Sequence, residues 1–274
     1  MIESEFSVDG EMPAINLTEW MRGLYFKRSH APEDNELLNR ELVNLVIDHA
    51  RKVVSHPSRP MQTIFEDFVR APHGELALEE TFEENPFLSP SETLTVELSQ
   101  ERPFSCVAML DSSSSMTGEK HLLSSVAVAV LFLKADPRLT SLVLFSSKSK
   151  VIKKMGVDVK VENTLLRFLK TPPRGFTNIT AGLEEGLRQF ERRTVRGRKV
   201  GILATEGRAT EGGDPLEAAR KFDYLVVLHL HGPGSHLETS REIAQQGRGL
   251  CLEVERFEEL PNRLYDALRL LSRL

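Results

Sequence analysis

The chain has 274 residues, of which 40% are hydrophobic and 27% charged, with a formal net charge of -5 and a pI near 6.0. These proportions exclude a disordered or fibrous architecture, and the length allows one large domain or a domain with a smaller appendage. The negative balance offers no global attraction to nucleic acid or to an anionic membrane.

Residues 1–11 lack the basic and apolar regions of a secretory signal, and the longest apolar run, 126–133, falls well short of the ~20 residues needed to span a bilayer. Cys106 and Cys251 are far apart in apolar runs, as buried thiols of a reducing compartment would be. The expectation is a soluble cytoplasmic protein with no membrane insertion.

From about residue 15 to 70 the pattern is helical. Leu37, Leu38, Leu42, Leu45 and Val46 recur at three- and four-residue steps within 33–54, and a second short helix is predicted over 61–69. Between them, His56-Pro57-Ser58-Arg59-Pro60 breaks the helix, because each proline disfavours helix in the residue before it. Asn85-Pro86-Phe87-Leu88-Ser89-Pro90-Ser91 reads as a linker. The predicted division is a helical N-terminal region with its linker over 1–95 and an α/β domain over 96–274.

After the linker, short runs rich in Val, Ile and Leu at 104–110, 141–145, 200–205, 224–230 and 249–254 have the character of strands buried on both faces. Helical patterns at 119–135, 161–169, 179–193, 215–221, 237–246 and 257–272 alternate with them. Residues 149–155, short and Lys-rich, fit an antiparallel edge strand. This alternation predicts a doubly wound α/β domain on a mostly parallel six-stranded sheet with one antiparallel edge strand. In such sheets ligands bind at the carboxyl ends of the strands, where strand order reverses.

The first of these strands runs into Asp111-Ser112-Ser113-Ser114-Ser115-Met116, then Thr117-Gly118 and a helix. One carboxylate and two hydroxyls at two-residue steps can converge on a point, and hard oxygen ligands suit Mg2+, Mn2+ or Ca2+ better than zinc or copper. A Ser-rich turn that merely caps the next helix explains the segment equally well.

The remainder of the chain separates these readings. Asp111-Ser-Ser113-Ser-Ser115-Met116 resembles the D-x-S-x-S-M of the metal-ion-dependent adhesion site (MIDAS) in von Willebrand factor A domains. Gly175-Phe176-Thr177-Asn178-Ile179 resembles the loop that supplies the family's threonine hydroxyl, and Thr205-Glu206-Gly207 sits where the family usually has T-D-G. The resemblance covers about residues 103–274. It implies a Rossmann-like fold, a Mg2+ (or Mn2+ or Ca2+) site built from Asp111, Ser113, Ser115 and Thr177 with Glu206 in the inner or outer shell, and a protein partner that offers an Asp or Glu. Two positions depart from the family: Ser114 stands where glycine is more frequent, and Glu206 replaces the usual aspartate.

Other candidates carry less. His229, His231 and His236 have zinc-like spacing, but Gly232, Pro233 and Gly234 between them favour an exposed loop. Arg192, Arg193, Arg196, Arg198 and Lys199 flank a predicted helix end, where cations complement the dipole. No phosphate-binding loop and no G-x-S-x-G is present. A non-enzymatic binding module is therefore expected. The alternatives are a metal-assisted hydrolase with Glu206 as base, or a scaffold whose motif no longer binds metal.

One further stretch, His73-Gly74-Glu75-Leu76-Ala77-Leu78-Glu79-Glu80-Thr81-Phe82, resembles the G-[ED]-[ILV]-D-x-x-x-T segment ahead of the domain in bacterial and archaeal proteins partnered with MoxR-type AAA+ ATPases, including the CoxE-like group. Ala77 stands where that group has an acid. The resemblance implies a chaperone-like role beside such an ATPase in complex or metal-cofactor assembly, whereas an ordinary connecting strand or helix start explains the same residues.

Overall fold

A computed structural model describes residues 17–30, 35–54, 61–67, 75–84, 94–101, 105–191 and 198–271. The predicted break at 56–60, the linker at 85–91, and Arg192, Arg193 and Arg196 lie outside these residues.

Two helices come first, α1 (Leu17–His30) and α2 (Asn35–Val54). The α2 periodicity buries Leu42, Val43, Val46, Ile47 and Ala50 on one face, whereas Leu37 points to solvent. Within the stretch 61–69 predicted as helix, the described residues instead form strand β1 (Met61–Asp67). After β2 (Glu75–Leu76) and α3 (Leu78–Glu84), β3 (Thr95–Glu101) lies between β1 and β2 in a three-stranded antiparallel sheet. All seven residues of β1 pair with β3, from Met61 opposite Glu101 to Asp67 opposite Thr95. Seven residues are too few to separate the helical from the extended period, and pairing with a distant strand decides the outcome.

The 73–82 stretch has a structural job here. Thr81 is fully buried at the α3 turn, where its hydroxyl donates to the Ala77 carbonyl at 2.7 Å and accepts the Thr95 amide at 3.0 Å. That bond ties α3 to the start of β3, which spans the boundary drawn at residue 95.

The larger sheet is built from β4 (Ser105–Asp111), β5 (Thr140–Phe145), β6 (Ser149–Lys153), β7 (Lys199–Thr205), β8 (Tyr224–Leu230) and β9 (Cys251–Val254). Its order is β6-β5-β4-β7-β8-β9, parallel except for β6, which pairs antiparallel with β5 at the edge. The helices are α4 (Glu119–Lys134), α5 (Val161–Leu169), α6 (Ile179–Glu191), α7 (Pro215–Ala219), α8 (Leu237–Gln246) and α9 (Leu260–Leu271).

Strand periodicity divides the core in two. Along β4, Cys106, Ala108 and Leu110 join one apolar cluster, with residues of α4, α5 and α9, while Val107 and Met109 join the other, with residues of α6, α7 and α8. Both faces of the strand are covered, so the run is apolar without alternating.

Helix α4 explains why the N-terminal helices are present. Residues His121 to Phe132 are buried without interruption, so α4 is covered all round. On its far side α1 and α2 pack against it, and Met21, Leu24, Leu42 and Val46 belong to the same cluster as Leu122 and Val126. Arg22 of α1 also pairs with Glu119 at the start of α4. Burying each such side chain is worth roughly 1.5–3 kcal/mol, so this outer layer contributes substantially to stability. Among the described residues no helix is long and apolar enough to cross a membrane.

The β6 edge carries a buried lysine. Lys153 is 1% exposed, its ammonium donates to the Thr140 carbonyl, and it lies 5.8 Å from the centre of the Phe132 ring. Burial pushes its pKa from 10.5 down to about 8, with Asp136 and Asp158 partly opposing. Because the folded value lies below the unfolded one, the unfolded chain binds more protons between about pH 8 and 10.5, so this group makes stability rise with pH across that window. Melting temperatures taken from pH 7 to 10.5 should show a rise for the native chain relative to Lys153→Met. Parallel pH profiles would contradict it.

Candidate metal centre

The chain leaves β4 towards β5 and β6, then returns to place β7 on the other side of β4. Strand order therefore reverses between β4 and β7, and their carboxyl ends form the crevice where ligands bind in open α/β sheets. Asp111 ends β4 and Thr205 ends β7, and the Thr205 hydroxyl donates to Asp111 Oδ2 at 3.3 Å.

Beyond Asp111 the chain turns sharply. The Ser113 amide donates to Asp111 Oδ1 at 2.9 Å, Ser114–Met116 form a single 3-10 turn, and the Ser113 and Ser115 hydroxyls come within 3.1 Å of each other. Helix α4 begins only after Gly118, and Ser113 makes no capping hydrogen bond to the turn that follows it. The Ser-rich turn is thus not explained as a cap. Asp111 is 4% exposed, and burial pushes its pKa up to about 6. Bonds from the Ser113 hydroxyl and amide hold it down, Glu206 pushes it up, and the Thr205 hydroxyl holds it down.

A second loop is stitched to this one. The Ser114 amide and hydroxyl both donate to the Gly175 carbonyl, at 3.1 and 3.2 Å, and the Arg174 amide donates to the Ser112 carbonyl at 2.9 Å. Gly175, two residues before Thr177, has φ +85°, a conformation costly for other residues. Thr177 is fixed through its backbone: its amide donates to the Thr210 hydroxyl at 2.9 Å, and its carbonyl accepts the amides of Thr210 and Glu211.

Glu206 follows Thr205. Its carboxylate is held by the Lys120 ammonium of α4 at 2.8 Å, and its carbonyl accepts the His236 amide at 2.8 Å. Sequence reasoning missed Lys120, since nothing local marks a pair separated by 86 positions. It also missed the direct role of Thr205, although the residue stood in the motif beside Glu206.

The histidines make separate contacts within the fold. His229 is fully buried, not in an exposed loop; its Nδ1 lies 2.8 Å from the Ser240 hydroxyl, and burial lowers its pKa. His231 faces Glu253 at 3.1 Å, and the His236 backbone, not its ring, meets the Glu206 segment. Among the described residues no three His, Cys, Asp or Glu gather around a common point. Cys106 and Cys251 are free thiols, the first buried and the second half-buried. Burial pushes their pKa values up to about 12 and about 11.

The donor set fits a small hard cation. In an octahedral Mg2+ site adjacent oxygens lie about 3.0 Å apart, the edge set by metal-oxygen bonds of about 2.1 Å. The Ser113–Ser115 separation of 3.1 Å is close to that edge. Asp111 supplies the anionic oxygen, whose burial, only partly offset by its hydrogen bonds, a cation would relieve.

With this geometry in view, the chain belongs to the von Willebrand factor type A domain family, whose sequence model matches residues 106–266. Proximal thread matrix protein 1 of the mussel byssus, in a structure with zinc occupying its MIDAS motif, is similar over 62% of this chain and 48% of that one, with 21% identity and a TM-score of 0.53. A von Willebrand factor type A protein from Catenulispora acidiphila is similar over 79% of this chain and 50% of that one, with 15% identity and a TM-score of 0.50. The chain thus spans about half the length of these proteins. Likenesses of this kind establish the fold. No curated protein matches the sequence.

Proposed function

We propose that this chain recognises a protein partner through a divalent cation, Mg2+ first, with Mn2+ and Ca2+ as alternatives, held by Asp111, Ser113, Ser115 and Thr177. The supporting observation is the 3.1 Å approach of the Ser113 and Ser115 hydroxyls in a turn whose Ser113 amide is bonded to Asp111, at the reversal of strand order, with Gly175, two residues before Thr177, bonded to Ser114. One carboxylate and three hydroxyls leave a divalent ion undercompensated, and the bound ion supplies an electrophilic position for a partner's Asp or Glu oxygen. Lys120 neutralises Glu206, so this second acid adds no net negative charge, and the preference for an incoming carboxylate is preserved.

The role is binding, not catalysis. Glu206, the acid coupled electrostatically to Asp111, is engaged by Lys120 and is poorly placed to serve as a free general base. Helices α1 and α2 act as an accessory layer on the von Willebrand domain, packed against α4. The free thiols fit a reducing, cytoplasmic setting. The likeness of residues 73–82 to MoxR-associated proteins supports an AAA+ ATPase as partner, with Thr81 committed to the fold and not to that contact.

Affinity selection from a random peptide library on the immobilised chain tests this reading. Asp or Glu should be enriched at one fixed position with Mg2+ or Mn2+, and the enrichment should vanish with chelator. Identical selections in both arms, or no acidic preference, would overturn it.

A further inference from the structure

Beside the metal loop lies a cavity of about 600 Å³, within the roughly 300–1,000 Å³ of ordinary ligand pockets. Ser112 and Gly175, which flank the Asp111 and Thr177 segments, form part of its wall. The rest comes from the end of β5, the turn into β6, and the segment after α5. Four cationic side chains line it, Lys148, Lys150, Lys170 and Arg174, and no carboxylate does. Among the described residues none of the four is paired with an acid, and the Lys150 ammonium is held at 3.0 Å by the Thr171 hydroxyl. This concentration of positive charge stands on a chain whose net charge is -5.

Simpler roles account for single members of the group. Lysines on an edge strand discourage sheet-to-sheet pairing, and Lys170 at the end of α5 complements the helix dipole. Neither role requires cations from two separate stretches of the chain, 148–150 and 170–174, to surround one cavity. Nor does either explain its position, since the Arg174 amide is bonded to the Ser112 carbonyl at the metal loop itself. Between Gly175 of the cavity wall and Thr177 the chain also presents Phe176, 62% exposed, an aromatic surface of the kind that anchors interfaces.

We infer that this cavity binds an acidic segment of the partner, a run of Asp or Glu residues continuing from the carboxylate that reaches the metal, with Lys148, Lys150, Lys170 and Arg174 as its counter-charges. The inference rests on the metal-recognition reading for the partner's orientation, while the pocket's own charge selectivity does not need the metal. Charges arranged in this way speed encounter and fix register.

The test is titration of the full chain with hexaglutamate in chelator, read by fluorescence anisotropy of the labelled peptide. Lys148→Glu/Lys170→Glu should weaken binding at least about tenfold, whereas Lys154→Glu/Lys160→Glu, the same charge change outside the cavity, should alter it less than about twofold. Because hexaglutamate binding is read in chelator and the metal reading is tested separately by adding Mg2+ to the native chain, failure of the metal reading and failure of the pocket reading are distinguishable. Equal losses in the two charge-reversed variants would overturn the inference by showing only general electrostatics. A phosphoserine peptide without Asp or Glu that binds more tightly than hexaglutamate would overturn it in favour of phosphate recognition.

Discussion

Asp111→Asn should abolish divalent-ion binding without weakening the metal-free fold. Asp111 is the only charged member of the proposed ligand set, and replacing even an outer partner of a metal ligand typically costs about 10–100-fold in affinity. Loss of the carboxylate itself should exceed about 100-fold and leave no measurable Mg2+ or Mn2+ titration. The amide keeps an acceptor for the Ser113 amide or the Thr205 hydroxyl, while a buried charge is removed. The readout is melting temperature with and without ion. At ion concentrations of 100 times Kd the native chain should gain about 2.7 kcal/mol, and Asp111→Asn should gain nothing. An equal gain in both proteins would place the ion elsewhere.

Gly207→Ala should be the most damaging single-methyl change near the site. Gly207 has φ +74°, and an added Cβ would lie 2.3 Å from the His236 carbonyl oxygen and 2.5 Å from the Ser240 hydroxyl. The first neighbour is backbone and cannot rotate away; the second holds His229 in the core. Left-handed strain of about 1–2 kcal/mol and overpacking of about 1–3 kcal/mol together predict a loss of about 2–5 kcal/mol. Because the His236 amide bonds to the Glu206 carbonyl, the relaxation should also displace Glu206 and weaken ion binding. Denaturant titration measures the first effect and ion titration the second. A stability loss below about 1 kcal/mol would mean the loop is free to move and does not position Glu206.

The doubly wound domain was legible because its strands are buried on both faces and its helices are amphipathic at sufficient length. Tyr224–Leu230 and Leu237–Gln246 form with the predicted bounds. Of residues 149–155, Ser149–Lys153 form an edge strand as the lysines suggested, although Lys153 turns inward and Lys150 lines the basic cavity. The small sheet was not legible from β1 alone. Its partner β3 carries only a short signal, Val96 and Leu98 alternating with Thr95, Glu97 and Ser99, beside the predicted boundary.

At the site, Asp111, Ser113 and Ser115 lie in one turn, where spacing allowed a cation site or a cap equally and the family resemblance favoured the first; the structure brings the Ser113 and Ser115 hydroxyls within 3.1 Å. Their relation to Thr177 followed from family resemblance, and the loop-to-loop bonds through Gly175 and Arg174 supply its physical basis. Lys120, Lys170 and Arg174 were not readable. Each is an ordinary surface cation in its own segment and acquires meaning only when folding brings distant loops side by side.

Crystals of the chain grown with Mn2+ and measured for anomalous scattering provide the most direct test of the central claim. The account predicts one strong peak bounded by oxygens of Asp111, Ser113, Ser115 and Thr177, with Glu206 beside it. A saturated Mn2+ site formed by other residues, or no peak at the end of β4, would contradict it.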